Sequence, residues 1–230
     1  MTDTILVVAA HPDDEVLGCG ATMAAHVRAG DVVHVLILAE GITSRSEKRS
    51  RRAHSGALSK LAQCARKANR ILGVRSVTLK NYPDNRLDSV ELLEIVRAVE
   101  RHVTKLKPQS VYTHHANDLN VDHRRVHEAV VTACRPVPGQ TVKRLMFFEV
   151  PSSTEWQISA AAAVFAPNRF VDISATLELK VRALQAYSSE MRDFPHPRSL
   201  RAVEHLACWR GASAGLQAAE AFMIGREIVA

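Results

Sequence analysis

Aromatic side chains are scarce in this chain: Phe, Tyr and Trp make up 5% of its 230 residues. So sparse a set offers no broad stacking platform for exposed bases, which argues against a nucleic-acid partner even at a net charge of +6. Cysteine is scarce too. Cys19, Cys64, Cys134 and Cys208 stand far apart with no C-x-x-C pair, which argues against a disulfide framework or a cysteine-rich zinc site and reads as buried, reduced thiols. No apolar run approaches the roughly 18 residues that span a bilayer. The short run at 5–10 lacks a basic stretch before it and passes straight into acidic residues, so it reads as a buried strand rather than a signal peptide, and the expected location is the cytoplasm. Gly18 and Gly20 are not followed by the third glycine of a dinucleotide fingerprint. No repeat and no Pro/Gly/Ser-rich linker divides the chain, so a single domain over residues 1–230 is expected.

What the chain does have is alternation. Short continuous apolar runs at 4–10, 32–38, 76–80, 110–114 and 144–150 are separated by helical patterns at 16–29, 48–72, 89–105, 121–134 and 175–188. That is the signature of an α/β fold, a Rossmann-like, mostly parallel sheet with helices on both faces. Gly30 and Gly73 stand just past two of the helical stretches, where left-handed caps are common. The region 151–230 is less regular, with strands expected near 169–172 and 221–228. In open α/β sheets, sites gather beyond the carboxyl ends of the strands, and the polar clusters of this chain fall there.

The first cluster is Ala10-His11-Pro12-Asp13-Asp14-Glu15. Pro12 biases His11 toward extended geometry, and the three acids then open a helix, where they suit its dipole. Adjacent side chains point in different directions, so one carboxylate can ligate a metal while the other faces a bound water. The second cluster runs from His114-His115 through Asn117-Asp118-Leu119-Asn120-Val121-Asp122-His123 to His127. His123 and His127 share a helix face as an i,i+4 pair. They read either as two ligands or as one functional histidine with His127 a polar flank. Together the clusters can build a site with three protein ligands and open water positions, the pattern of catalytic zinc.

These residues resemble the PIG-L/LmbE-like family of metal-dependent N-deacetylases, in its bacterial branch. The resemblance rests on residues 10–15, on Asp122-His123, and more weakly on Leu72-Gly73-Val74, on residues 82–88 and on 184–190. It implies a Rossmann-like fold and removal of an N-acetyl group from an amino sugar or its conjugate, phosphorylated or lipid-linked ones included. Carried over by position, His11, Asp14 and His123 would ligate Zn2+ or another divalent ion, and Asp13 would be the general base. Many members carry a histidine three residues before the third ligand, assigned to the oxyanion; here Asn120 stands there, able to donate a hydrogen bond but not to exchange a proton near neutrality. His114 or His115 are candidates to replace that imidazole, and Asp122 to orient His123 or Asn120. Arg51 and Arg52, in the basic stretch 45–52, are expected to grip an anionic aglycone or to form a solvated face. Asp84, Arg86, His115, Tyr187, His196 and Arg198 are further candidates for substrate contact. The rivals are hydrolysis of another amide or a carbamoyl group, and a non-catalytic nucleotide- or nucleic-acid-binding module. A homo-oligomer is left open.

Overall fold

The structure, a computed structural model, describes residues 2–158 and 164–229. Seven strands form one sheet: β1 (Thr4–Ala9), β2 (Val32–Ala39), β3 (Ser76–Tyr82), β4 (Ser110–His114), β5 (Arg144–Phe148), β6 (Arg169–Asp172) and β7 (Ala219–Glu227). Their order is β3-β2-β1-β4-β5-β7-β6; the first five are parallel, while β7 runs antiparallel to β5 and β6. The expected α/β architecture is the observed one, with its antiparallel pair confined to one edge.

The continuous apolar run of β1 follows from burial on both sides. Ile5, Val7 and Ala9 face one core, together with α1 (Asp14–Arg28), α2 (Ser55–Ile71), α5 (Leu177–Ala186) and Val203 of α6 (Leu200–Ala212). Leu6, Val8 and Ala10 face the other, against α3 (Leu92–Leu106) and α4 (Val121–Ala133). Gly30 and Gly73 adopt φ of +92° and +80°, as the cap reading required. Gly18 serves a different purpose: a Cβ there would lie 2.3 Å from the Phe148 ring, so only glycine lets α1 press this closely on the end of β5.

Two expectations need correction. The helix expected over 48–72 begins at Ser55, because Arg49 and Arg51 are drawn out of register to reach the carboxylate of Glu40. Nor is α1 continuous: it breaks at Cys19 (φ −149°, ψ 26°). Regular helix would pair the Ala21 amide with the Leu17 carbonyl. Instead Ala21 N and Thr22 N donate to the Glu220 carboxylate (3.1 and 2.7 Å), and Leu17 O accepts from Lys180 Nζ (2.8 Å). Lys180 and Glu220 are themselves paired at 2.6 Å and almost fully buried. One ion pair thus satisfies both the donor and the acceptor that the break sets free.

Candidate metal centre

The strand order reverses at β1, whose neighbours lead to β2 and β3 on one side and to β4 and β5 on the other. The crevice beyond such a reversal is where ligands gather in open α/β sheets. A cavity of about 190 Å³ lies there, reached by His11, Asp13, Asp14, Asn120, His123 and Arg198 among others.

The chain leaves β1 through His11 and turns at Asp13, which sits at φ +115°, a sparsely allowed conformation for a residue with a Cβ. The surroundings hold it there. Asp13 N donates to Glu15 Oε2 (3.1 Å), and Glu15 Oε1 accepts from the Tyr187 hydroxyl (2.6 Å) and from Asn69 Nδ2 (2.8 Å). Arg198 Nη1 donates to Asp13 Oδ2 at 3.1 Å. Burial pushes Glu15 up to about 7. Burial, followed by the neighbouring charge of Asp14, raises the Asp13 carboxyl well above its ordinary value against the opposing pull of Arg198.

One oxygen is shared by two rings. Asp14 Oδ2 lies 3.2 Å from His11 Nδ1 and 3.2 Å from His123 Nε2. The far nitrogen of each ring meets a buried carboxylate: His11 Nε2 faces Asp122 Oδ2 at 2.9 Å, and His123 Nδ1 faces Asp118 Oδ1 at 3.1 Å. The second contact is off-axis, a close ion-pair approach rather than an aligned hydrogen bond. Both carboxylates are fixed in turn. Asp122 accepts from the amides of Asn85 (2.7 Å) and Leu87 (2.8 Å). Asp118 accepts from Asn120 N (2.9 Å), from Thr154 Oγ1 (2.6 Å) and from the Ser153 hydroxyl.

The donor set fits a divalent cation. A neutral His11 ring that donates to Asp122, and a neutral His123 ring with its proton on the side of Asp118, turn bare lone pairs onto the Asp14 carboxylate, an arrangement that repels unless positive charge enters. Protonation is one remedy: burial pulls His123 down, but Asp14 and Asp118 outweigh it and carry its pKa to about 9. His11 is likewise raised by Asp122 and Asp14 over the effect of burial. A divalent ion is the other remedy. The three residues offer one ligand atom each, all within 4.8 Å of one another. The two 3.2 Å separations match the edge of about 3.3 Å of a tetrahedron built with bonds of about 2.0–2.1 Å. A second grouping shares His11 with Asp84 and Asp122, but Asp122 already holds the far side of the His11 ring, the usual place for a carboxylate behind a ligating histidine.

The other expected site residues divide. Asp84 lines the cavity, with Oδ1 3.3 Å from His11 Nε2, and its other oxygen accepts from Ser44 N and Oγ. Arg198 lines it and holds Asp13. Asn120 lines it too, but caps α4 by accepting from Asp122 N (2.8 Å), while its Nδ2 donates to Asn85 Oδ1 (2.8 Å). Asp122 orients His11, not His123 or Asn120; Asp118 is the residue that faces His123. Neither Arg51 nor Arg52 reaches the cavity: Arg51 pairs with Glu40 (2.7 Å) and Arg52 is exposed. Arg45 is the member of that basic stretch at the cavity, where it pairs with Glu190. Arg86 turns away toward Glu47 O. Tyr187 is fully buried beneath the site on Glu15, and His196 stands outside the cavity against Trp156.

His114 is not free to swing into the site. It is fully buried and stacked on His123 (4.0 Å, 20°), and its Nε2 accepts from Ala10 N at 2.8 Å. Burial, and then the charge of His123, hold its pKa well below the ordinary value. His115 is buried with its ring against Phe165 and does not line the cavity. His127 bonds the His114 carbonyl (2.9 Å) and packs on Phe147, which makes it the polar flank of the two readings. Arg45 belongs to the basic stretch expected to grip an anion, whereas Asp118 and Glu190 carry no expected role in the sequence motifs that contain them. An acid five residues before a candidate ligand histidine was the one available signal for Asp118.

A family model described as PIG-L, GlcNAc-PI de-N-acetylase, matches residues 6–134, more than half of the chain. The chain is 29% identical over 154 residues to an uncharacterized deacetylase, YaiS, of Escherichia coli (strain K12), covering 65% of this chain and 75% of the relative. It is 24% identical over 188 residues to a probable N-acetyl-alpha-D-glucosaminyl L-malate deacetylase of Bacillus anthracis, covering 81% of this chain and 80% of that one. Its fold is similar to that of N,N'-diacetylchitobiose deacetylase from Pyrococcus horikoshii, with a TM-score of 0.77 at 20% identity over 97% of this chain and 84% of the other.

Proposed function

The chain belongs to the PIG-L family of deacetylases, and from that premise we propose that it is a metal-dependent N-deacetylase of an N-acetylated amino sugar or its conjugate. His11, Asp14 and His123 would hold the ion, Zn2+ or another divalent metal. When bound, such an ion polarises the acetyl carbonyl and brings the pKa of a ligating water toward about 7. One observation carries the reading: two imidazoles present a nitrogen each to the same Asp14 oxygen while a buried carboxylate stands behind each ring.

The chain's own residues divide the remaining work. Asp13 is the proton carrier: its carboxylate accepts a proton from the attacking water and returns it to the nitrogen as the C–N bond breaks and acetate departs. Arg198 holds Asp13 Oδ2, and Glu15 fixes the backbone turn that aims the side chain. With an amide at position 120 and His114 locked beneath the sheet end, neither supplies a second acid–base group. Asn120 is at most a hydrogen-bond donor to the developing oxyanion. Arginines Arg45 and Arg198 are each matched by a carboxylate, so the pocket suits a neutral sugar better than a phosphate. Four unbridged cysteines support a reducing, cytoplasmic setting.

The test is metal content together with acetate release from N-acetylglucosaminides. Wild-type protein is expected to carry about one divalent ion, to lose activity on chelation and to regain it on zinc addition. Asp13→Asn should keep the ion and lose several orders of magnitude in kcat. Stoichiometric metal retained by both His11→Ala and His123→Ala would refute the ligand set.

A further inference from the structure

Trp156 is one of only two tryptophans in the chain, and about 47% of its surface is open to solvent. An indole left this exposed forfeits burial that a folded chain ordinarily takes up. Its position gives the exposure a purpose. Trp156 lies three residues beyond Ser153, which lines the cavity and donates to Asp118 behind the His123 ring. The loop that carries it is pinned: Glu155 accepts from the amides of Ser152 (2.6 Å) and Ser153 (3.3 Å), Thr154 bonds Asp118, and Trp156 N donates to Ser153 O (3.3 Å). On its other side the indole meets the His196 ring at 5.7 Å, nearly perpendicular. His196 Nδ1 accepts from Arg198 N at 3.1 Å, and Arg198 is the cavity residue that holds Asp13. The Trp156–His196 pair therefore ties the rims of two cavity walls to each other, outside the cavity itself.

The cavity's about 190 Å³ falls below the roughly 300 Å³ at which pockets begin to enclose a drug-sized ligand. It holds little more than one sugar ring with its acetamido group, so the rest of a conjugate must lie beyond the rim. A perpendicular contact with His196 engages one face of the indole at most, and an open aromatic face packs best against another flat apolar face.

Resting on the deacetylase reading above, we propose that Trp156, backed by His196, is the platform of an outer subsite that stacks a second ring of the substrate, a pyranose C–H face or an aryl ring, joined to the N-acetylated sugar. It follows that a two-ring conjugate is preferred over the bare monosaccharide, and that an open-chain acidic aglycone draws nothing from this wall.

The experiment compares N-acetylglucosamine with its β-linked dimer and its phenyl glycoside in the metal-loaded protein. Trp156→Ala should lower the dimer-to-monosaccharide ratio of kcat/KM about tenfold, through KM, and Trp156→Phe should restore most of it. The phenyl glycoside arm distinguishes an aryl from a sugar occupant. Ratios unchanged in Trp156→Ala for both two-ring compounds would overturn the platform. Should wild type release acetate from none of these compounds, the deacetylase reading fails for them, and binding still decides the platform. In a Trp209→Phe protein, Trp156 is the sole indole, and its emission should shift with the dimer or the phenyl glycoside but not with the monosaccharide. An emission unmoved by either two-ring compound overturns the proposal on its own.

Discussion

Replacing Lys180 with Met removes the ammonium from a site where it and Glu220 are each only about 5% exposed. Two losses follow. The Leu17 carbonyl, freed by the break in α1, loses its 2.8 Å donor, an unsatisfied buried acceptor costing about 1–3 kcal/mol. Glu220 loses its counter-ion and keeps only the amides of Ala21 and Thr22; stripping one partner from a buried pair costs about 3–5 kcal/mol. Since the two amides still solvate the carboxylate, a total near 4 kcal/mol is expected, a large part of the roughly 5–15 kcal/mol that stabilises a domain. For a chain of this size that lowers Tm by about 8–16 °C. Glu220→Gln should cost nearly as much, because it leaves Lys180 charged among apolar groups. The Lys180→Met/Glu220→Gln pair buries no charge, and its glutamine oxygen still accepts from one freed amide. The double variant should therefore be destabilised by clearly less than the two singles combined, with a coupling of about 2–3 kcal/mol. Urea unfolding followed by far-ultraviolet circular dichroism measures all four proteins. Single variants that each lose less than about 1 kcal/mol, or strict additivity, would refute the view that this pair replaces the missing helical hydrogen bond.

Asp31 Oδ2 meets His26 Nδ1 at 2.7 Å, and that bond, with the Asp3 amide, holds its carboxyl below the ordinary value despite partial burial. A carboxylate depressed in the folded state stabilises above its unfolded pKa of about 3.9, and the contribution is lost as pH falls through the lower folded value. Asp31→Asn should thus cost about 0.5 kcal/mol at pH 7, discounted for solvent screening, and nothing in strong acid; a urea midpoint difference that persists at low pH would contradict the pairing. Asn120→Ala removes the side chain that caps α4, so a loss near 1 kcal/mol is expected, with a fall in kcat far smaller than that of Asp13→Asn; equal falls would refute proton transfer by Asp13 as the dominant contribution.

The parallel core was legible because β1, β2 and β4 are buried on both faces, and burial on both faces writes an uninterrupted apolar run. The proposed ligands came from the family resemblance, whose motifs are local: His11 and Asp14 are neighbours in one turn, and Asp122-His123 open a helix just past a strand. Roles that depend on distant partners were not. Tyr187 looked like a residue closing the site, yet its hydroxyl is spent on Glu15, 172 positions away. The break at Cys19 is invisible locally, since what permits it is Glu220 at the far end of the chain. The arginine run looked helical by composition, but a buried Glu40 outbids helix propensity for Arg49 and Arg51. Asp122 was expected behind His123 or Asn120, but it faces His11, and the place beside His123 falls to Asp118, which the distant Ser153 and Thr154 hold there.

Ala10 N and His114 Nε2 meet across 104 positions of chain. Extending a loop is entropically mild, about 0.6 kcal/mol per doubling, but closure is all-or-none for whatever it brings together. Neither half of the chain has the proposed ligand trio alone: residues before α3 supply His11 and Asp14, and His123 arrives only with α4. During synthesis the emerging protein therefore cannot sequester a stray ion in finished form until β4 has docked beside β1. Once it has, any ion retained at a hundred times its dissociation constant adds about 2.7 kcal/mol to the assembled state alone. An ion held by the proposed ligands would thereby act as a latch on the two halves of the sheet.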